Sequence, residues 1–395
     1  MQQPAARTIP SDYFNPRYPN SEYLQSKAKS RMPMFAFDYL NGGCIDERGP
    51  ADNRENLKRV RLSSPLLKRR SQPDYSVDLF GKRYRYPFGV APVGLQGLMW
   101  PDTPEILAQA AADLEVPYVL STVSSANLET IVEIAQGYAW FQFYNPTVED
   151  VRADILRRAA QAGCDVLVVT VDVPTFGYRP KDIRNGLSMP PKMTWRNVLQ
   201  MLARPAWLLG TAKAGKPEMK TLLPYMPPNT PADELQTFMN KTVMGSVDAD
   251  SLRKIRDVWQ GKLVIKGISR MEDADAAVEI GADGIVVSNH GARQLDAGPN
   301  LIESLIGISK KHGGTIEIIY DSGLYSGTDL AKVLACGAGF GLFGRLFVYG
   351  VAALGRRGGV HTINMLGSQF AQVSQQLGCV SRSDFPGCLA DSGVR

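Results

Sequence analysis

The sequence predicts an α/β protein: a closed (β/α)8 TIM barrel, with a helical extension at its N-terminus and an insert between the fourth and fifth strands. Three observations lead there. From residue 88 onward, short apolar runs alternate with helix-like stretches. The runs are apolar on both faces, which suits parallel strands covered on two sides rather than half-exposed antiparallel ones. Eight such units span roughly 260 residues, the length of one barrel domain. A doubly wound open sheet is the competing arrangement.

In chain order the runs are Phe88–Ala91, Tyr118–Ser121, Trp140–Phe143, Val166–Val171, Leu263–Lys266, Gly284–Val287, Ile316–Tyr320 and Phe340–Phe343. Helical patterns over Thr103–Glu115, Val148–Ala162, Met271–Ile280 and Gly327–Ala335 separate them. Gly163, Gly281 and Gly337 follow three of these patterns, as expected of helix stops. Before the barrel, the pattern around Glu22–Leu40 predicts one helix. The insert carries an apolar and basic stretch, Trp195–Leu209. The chain therefore reads as one domain over 1–395. Its parts are an extension (1–87), the barrel (88–180 and 251–360), the insert (181–250) and a C-terminal tail (361–395). No short-period repeat or low-complexity tract interrupts it.

Composition fits that plan and excludes several classes. Apolar residues make up 44% and charged residues 21%, the balance of an ordinary globular protein, and 395 residues can bury a large core. The net charge of +5 is all in residues 181–245, where nine Lys/Arg face four Asp/Glu. The rest is balanced, which argues against a nucleic-acid binder. Cys44, Cys164, Cys336, Cys379 and Cys388 lack metal-site or redox spacing, so reduced thiols and a cytoplasmic location are expected. The start of the chain lacks a signal-peptide pattern, and no run of 18 apolar residues occurs.

The residues closing each apolar run carry the functional signal. They are Ser121, then Gln142 and Tyr144, then Thr170 and Asp172, then Lys266, then Ser288, Asn289 and His290, then Asp321, and finally Arg345. In a parallel barrel all of these ends lie on one rim, where active sites form. Seven of eight strands thus deliver a polar or charged group to one place. After the last two strands, Asp321-Ser322-Gly323 and Gly341-Leu342-Phe343-Gly344-Arg345 leave backbone N–H groups open, and Arg345 suits a phosphate. Residues 339–344 formally match G-x-G-x-x-G. The glycines lie in the strand itself, however, and no acidic residue occurs between Asp329 and Asp384, so a dinucleotide site is excluded.

The chain resembles the FMN-dependent 2-hydroxy acid oxidases and dehydrogenases along nearly its whole length. The most specific motif is Ser288-Asn289-His290-Gly291-Ala292-Arg293-Gln294-Leu295-Asp296. Val171-Asp172-Val173-Pro174, Phe141-Gln142-Phe143-Tyr144 and Ile265-Lys266-Gly267 stand in the expected order around it. The resemblance implies FMN as cofactor, with His290 as base, Asp172 orienting it, and Tyr144 bonding the substrate near its hydroxyl. Arg179, Arg293 and Tyr39 would bind the substrate carboxylate. Lys266 would stand by the N1/O2 edge of the flavin. Ser121, Gln142, Thr170 and Ser288 would hold the ring, with Ala91, Pro92, Val93 and Gly94 packed on it. Asp321, Gly323, Gly344 and Arg345 would hold the ribityl phosphate. At position 325, where the family usually carries a phosphate-binding Arg, this chain has Tyr325. Weaker FMN retention follows as an expectation.

The implied activity is oxidation of an (S)-2-hydroxy acid, such as L-lactate or mandelate, to the 2-oxo acid. Gly94 stands where oxidases of the family tend to have Ala, which favours a dehydrogenase passing electrons to a quinone, a cytochrome or another carrier. An oxidase using O2 and an FMN-barrel isomerase are the alternatives. Val123 stands where glycolate oxidase has Trp and leaves more room. Residues 190–245 suit contact with a membrane surface or a lid over the site. Family members are often homo-oligomers, tetramers among them.

Overall fold

The structure is a computed structural model that describes residues 15–65, 67, 73–187, 192–227, 232–242, 245 and 247–390. Ten strands are present among them. A hairpin, β1 (Val77–Leu79) and β2 (Lys82–Tyr84), precedes the barrel. The barrel strands are β3 (Phe88–Val90), β4 (Tyr118–Ser121), β5 (Ala139–Phe143), β6 (Val166–Thr170), β7 (Lys262–Ile268), β8 (Gly284–Val287), β9 (Glu317–Tyr320) and β10 (Phe340–Phe343). All eight pair in parallel in chain order, and β10 closes on β3 through Gly341 opposite Phe88 and Phe343 opposite Val90. The sheet is therefore closed, not doubly wound.

Burial on both faces explains why the strands read as continuous apolar runs. One face points into the barrel, where Val119, Trp140, Val168, Val264, Val286, Ile319 and Leu342 pack together. The other meets the surrounding helices. The hairpin went unread because strands of three residues are too short to show a period. It closes the N-terminal mouth: Phe80 at its turn lies 5.6 Å from the Trp140 ring, and the Trp140 indole N–H donates to Tyr84 Oη at 3.0 Å.

Two expectations are corrected. The helix expected near Glu22–Leu40 is two helices, Ser21–Arg31 and Met34–Asn41, because Pro33 keeps the residue before it extended. The stretch Trp195–Leu209, read from the sequence as apolar and basic, lies on two helices, Trp195–Leu202 and Pro205–Ala214, divided ahead of Pro205. The boundary at 360 falls inside the twenty-residue helix Gly358–Leu377, whose buried Ile363, Leu366 and Phe370 pack on the core. Residues 361–377 are thus no tail. The glycines before them look like a stop signal, yet Gly358 serves packing: a Cβ there would lie 2.2 Å from the Gly350 carbonyl oxygen.

Candidate active site

The C-terminal ends of the strands surround one cavity. Its lining includes Tyr39, the stretch from Ala91 to Gly94, Tyr144, Arg179, Lys266, His290, Arg293, Asp321, Gly323, Gly344 and Arg345. Residues from the extension, the rim and the start of the insert thus share one space.

His290 follows β8 with φ +59°, and Gly291 and Ala292 continue in the left-handed region. That costly backbone is held by its neighbours. The His290 N–H donates to Ser288 Oγ at 3.0 Å, the Gly291 N–H to Ser322 Oγ at 3.0 Å, and the Ala292 N–H to Asn289 Oδ1 at 3.0 Å. The tight turn aims the imidazole back across the barrel, where its Nδ1 lies 2.9 Å from Asp172 Oδ1. Gly267 makes room for this pairing: its φ is +106°, and a Cβ there would lie 2.6 Å from Asp172.

Burial lowers the His290 pKa below the ordinary imidazole value of 6.5, and Asp172 offsets this only in part. Burial opposes the Asp172 charge, yet His290 and Lys266 outweigh it and hold the carboxyl below its usual range. At neutral pH the pair is therefore a neutral imidazole on a carboxylate. Nδ1–H donates to Asp172, which leaves the Nε2 lone pair for a substrate proton.

Lys266 is buried in β7, yet its Nζ lies 3.0 Å from Asp321 Oδ2 and 3.0 Å from Ser288 Oγ. Burial weighs against the ammonium, but Asp321 and Asp172 more than compensate, so its pKa is raised. A fixed cation thus stands at the middle of the cavity.

At one end are two guanidinium groups. Arg293 Nη1 donates to the carbonyls of Tyr39 (2.8 Å) and Gly42 (2.9 Å), and its guanidinium sits 5.2 Å from the centre of the Tyr39 ring. Arg179 donates to the Arg293 carbonyl at 3.3 Å and to Gln294 Oε1 at 3.0 Å. Burial and the charge of Arg179 both push the Arg293 pKa down. An anion between the two guanidiniums would relieve that penalty. Tyr144 is buried beside them, and burial with the nearby Asp172 raises its pKa, so the phenol stays protonated.

The opposite end suits a phosphate. Gly323 and Gly344 line it, and Gly344 caps the N-terminus of the ten-residue helix Arg345–Leu354. Gly344 has φ −100°, and a Cβ there would meet nothing nearer than Val93 at 3.6 Å. Neither strain nor protein packing demands glycine here, whereas close approach of a ligand to the backbone does. Arg345 lines this end but is partly committed, donating to the carbonyls of Leu40, Gly42 and Gly291, each at 3.0 Å. Tyr325 has the Arg54 guanidinium 4.8 Å from its ring centre, and Arg54 also bonds the Gly323 carbonyl at 3.2 Å. A cation from the extension therefore stands next to the position where an Arg was expected. A phosphate seat, a central ammonium and the flat Ala91–Gly94 wall together fit FMN.

Five sequence-predicted residues, Ser121, Gln142, Thr170, Asp172 and Ser288, stand behind the cavity wall. Ser121 Oγ donates to Gln142 Oε1 at 2.9 Å, and Gln142 Nε2 donates to Thr170 Oγ1 at 3.0 Å, forming a buried row across β4, β5 and β6. Ser288 bonds Lys266 and the His290 backbone. Sequence reasoning missed Gly267 and Ser322 as supports, and Asn53, whose amide exchanges hydrogen bonds of 2.9 and 2.8 Å with Asn289. It also missed Met219 and Met239, which reach the cavity from the insert. The glycine after Lys266 was the one available signal among these.

Known proteins resemble this chain along most of its length. The family of FMN-dependent dehydrogenases matches residues 28–390. An L-lactate dehydrogenase of Haemophilus influenzae (strain PittEE) is 39% identical over 340 residues, 86% of this chain and 88% of that protein. The (S)-mandelate dehydrogenase of Pseudomonas putida is 34% identical over 377 residues, 95% of this chain and 94% of that one. Among solved structures, a monotopic membrane protein, (S)-mandelate dehydrogenase, superposes with a TM-score of 0.88 at 32% identity, covering 94% of this chain and 99% of that one. A mandelate oxidase with benzoyl-formic acid gives 0.80 at 32% identity, covering 96% and 100%.

Proposed function

The chain belongs to the FMN-dependent dehydrogenase family, and from that premise we propose that it oxidises an (S)-2-hydroxy acid to the 2-oxo acid at the cavity described above. Bound FMN supplies the acceptor for the two electrons leaving the substrate carbon. The remaining work belongs to the chain. Arg179 and Arg293 clamp the carboxylate, and Tyr39, stacked under Arg293, completes that end. Tyr144 donates from its protonated phenol to the substrate oxygen. His290 Nε2 takes a proton from the substrate, and Asp172 stabilises the imidazolium that results. Lys266 would supply positive charge to the bound ring. Ser121, Gln142 and Thr170 would help to hold it. Asp321 fixes Lys266, while Gly323, Gly344 and Arg345 receive the phosphate.

The observation that carries this reading is His290, hydrogen-bonded to Asp172, lining one cavity with the two guanidiniums of Arg179 and Arg293. The test is anaerobic mixing of the flavin-loaded protein with L-lactate, S-mandelate and longer (S)-2-hydroxy acids. The 450 nm absorbance should bleach, and His290→Gln should keep the yellow colour without bleaching. A wild-type protein that no 2-hydroxy acid bleaches would refute the reading.

The same reading assigns the electrons to a carrier at a membrane surface. Trp195, Leu199, Leu202 and Leu209 are 70%, 55%, 62% and 71% exposed on the two insert helices, beside Arg196 and Lys213. Large apolar residues ringed by cations suit the interface of an anionic bilayer. No helix among the described residues is long and apolar enough to cross it. Pelleting with anionic vesicles, together with dye reduction that outpaces O2 consumption, is the expected result.

A further inference from the structure

We infer that Met219 and Met239, both supplied by the insert, form the outer wall of a side-chain pocket, and that the preferred substrate carries a large, uncharged, apolar group at C2 instead of the methyl of lactate. This rests on the 2-hydroxy acid reading above and specifies its substrate.

The pocket lies on the substrate side of the cavity. Val123 belongs there, since a Cβ on Gly94 would lie 2.8 Å from its Cγ2 and 3.9 Å from the Tyr39 hydroxyl. Two backbone hydrogen bonds bring the insert to this place. The Lys220 N–H donates to the Ser124 carbonyl at 3.2 Å, which sets Met219 next to Val123. The Thr147 N–H donates to the Lys241 carbonyl at 2.8 Å, which sets the end of helix Ala232–Thr242, and Met239 with it, over the loop that follows Tyr144. Val173 and Phe176, between Asp172 and Arg179, complete the apolar lining.

Charge and shape then select the ligand. The charged groups lining the cavity are Arg179, Arg293, His290, Lys266, Asp321 and Arg345, and each already serves the carboxylate, the proton or the cofactor. None is left for a second carboxylate on the substrate, so hydroxy diacids are excluded. Met219 and Met239 are already only 8% and 3% exposed, and Phe176 is 37% exposed, so a methyl group would leave the space they border unfilled. A longer chain fills that space and takes its own apolar surface out of water, each buried methylene being worth about four-fold in affinity, from roughly 0.8 kcal/mol. Methionine has three rotatable bonds and a polarisable sulfur, so the wall adapts to linear, branched and arylalkyl chains.

The experiment uses the flavin-loaded full chain. kcat/KM is measured for L-lactate, then the (S)-2-hydroxy acids of four, six and eight carbons, 3-phenyllactate and malate. In parallel, Kd values of the matching 2-oxo acids are read from the flavin spectrum. Both series should improve about four-fold per methylene until the pocket fills, with malate poorest. Met219→Ala and Met239→Ala should flatten the climb, whereas Met219→Leu and Met239→Leu, which keep the volume, should preserve it. A flat series, a preference for lactate, or a climb unchanged in both alanine variants would overturn the inference. If the 2-oxo acid Kd values follow chain length while no hydroxy acid bleaches the flavin, the wall stands and the oxidation reading fails.

Discussion

The barrel rim and the insert position their side chains by different physics. At the rim, Lys266, Gln142 and Thr170 stand on or at the end of strands buried on both faces and bonded on both edges, so their backbone has little freedom. Each of these three side chains has a hydrogen-bond partner within 3.0 Å. The insert carries short helices with apolar residues on opposite sides. Trp207, Met219 and Met239 point inward, whereas Trp195, Leu202 and Leu209 are exposed. The insert is held to the barrel and the extension by single hydrogen bonds spread along its length, such as Trp207 to the Leu98 and Met99 carbonyls, the Phe35 N–H to Gln200, and the backbone bonds at Ser124 and Thr147. Chemistry that tolerates no displacement is built on the closed sheet, and recognition of the substrate chain and of a surface is left to an appended segment.

This division can be broken most directly at the base. His290→Gln should lower the rate of flavin reduction by about 10²–10⁴-fold with FMN still bound. A loss under ten-fold would mean that the rim does not hold the base. Asp172→Asn should cost about a hundred-fold, because an amide neither fixes the Nδ1–H tautomer nor stabilises the imidazolium.

The pH profile sharpens the same point. Burial holds the His290 pKa below 6.5, and the active form is the neutral imidazole. Wild-type kcat/KM should therefore stay level as pH falls to 6.5 and decline below it. Asp172 raises that pKa, so Asp172→Asn should move the acid limb to lower pH. A limb above pH 7 would contradict the burial argument.

Gly267→Ala tests the rigidity of the rim. Its φ of +106° and a Cβ 2.6 Å from Asp172 should destabilise the protein by about 1–3 kcal/mol, read as a lowered thermal midpoint. Activity should fall as well, as Asp172 is displaced. The smallest effect belongs to the outer face of the insert. Leu199→Asp with Leu202→Asp should leave anaerobic bleaching unchanged while releasing the protein from anionic vesicles. A loss of bleaching in that variant would show that the two regions are coupled after all.

The fold was legible because the barrel strands announce themselves locally. All eight runs match observed strands to within one or two residues at either end. The polar residues at their ends were legible for the same reason, since a Lys or Gln closing an apolar run contrasts with its neighbours. Ser288 shows where this stops. Its place at the rim was plain, but its bonds to Lys266 and the His290 backbone, which make it a support, depend on how β7 and β8 sit side by side. The hairpin at the barrel bottom and the glycines that open helix Gly358–Leu377 were unreadable for opposite reasons: one was too short to have a period, and the other used a stop signal for packing.

The amino-acid sequence alone therefore determined the repeating unit, the class of fold and the kinds of groups at the rim, because apolar periodicity and strand-end polarity are properties of a few adjacent residues. Tertiary structure alone decided that Asn53 pairs with Asn289, that Arg54 covers Tyr325, and that Met219 and Met239 line the same cavity as Val123 and Tyr144. Those meetings join residues separated by tens to hundreds of positions. They exist only once the sheet has closed and the insert has folded back, and no local pattern records the geometry of that closure.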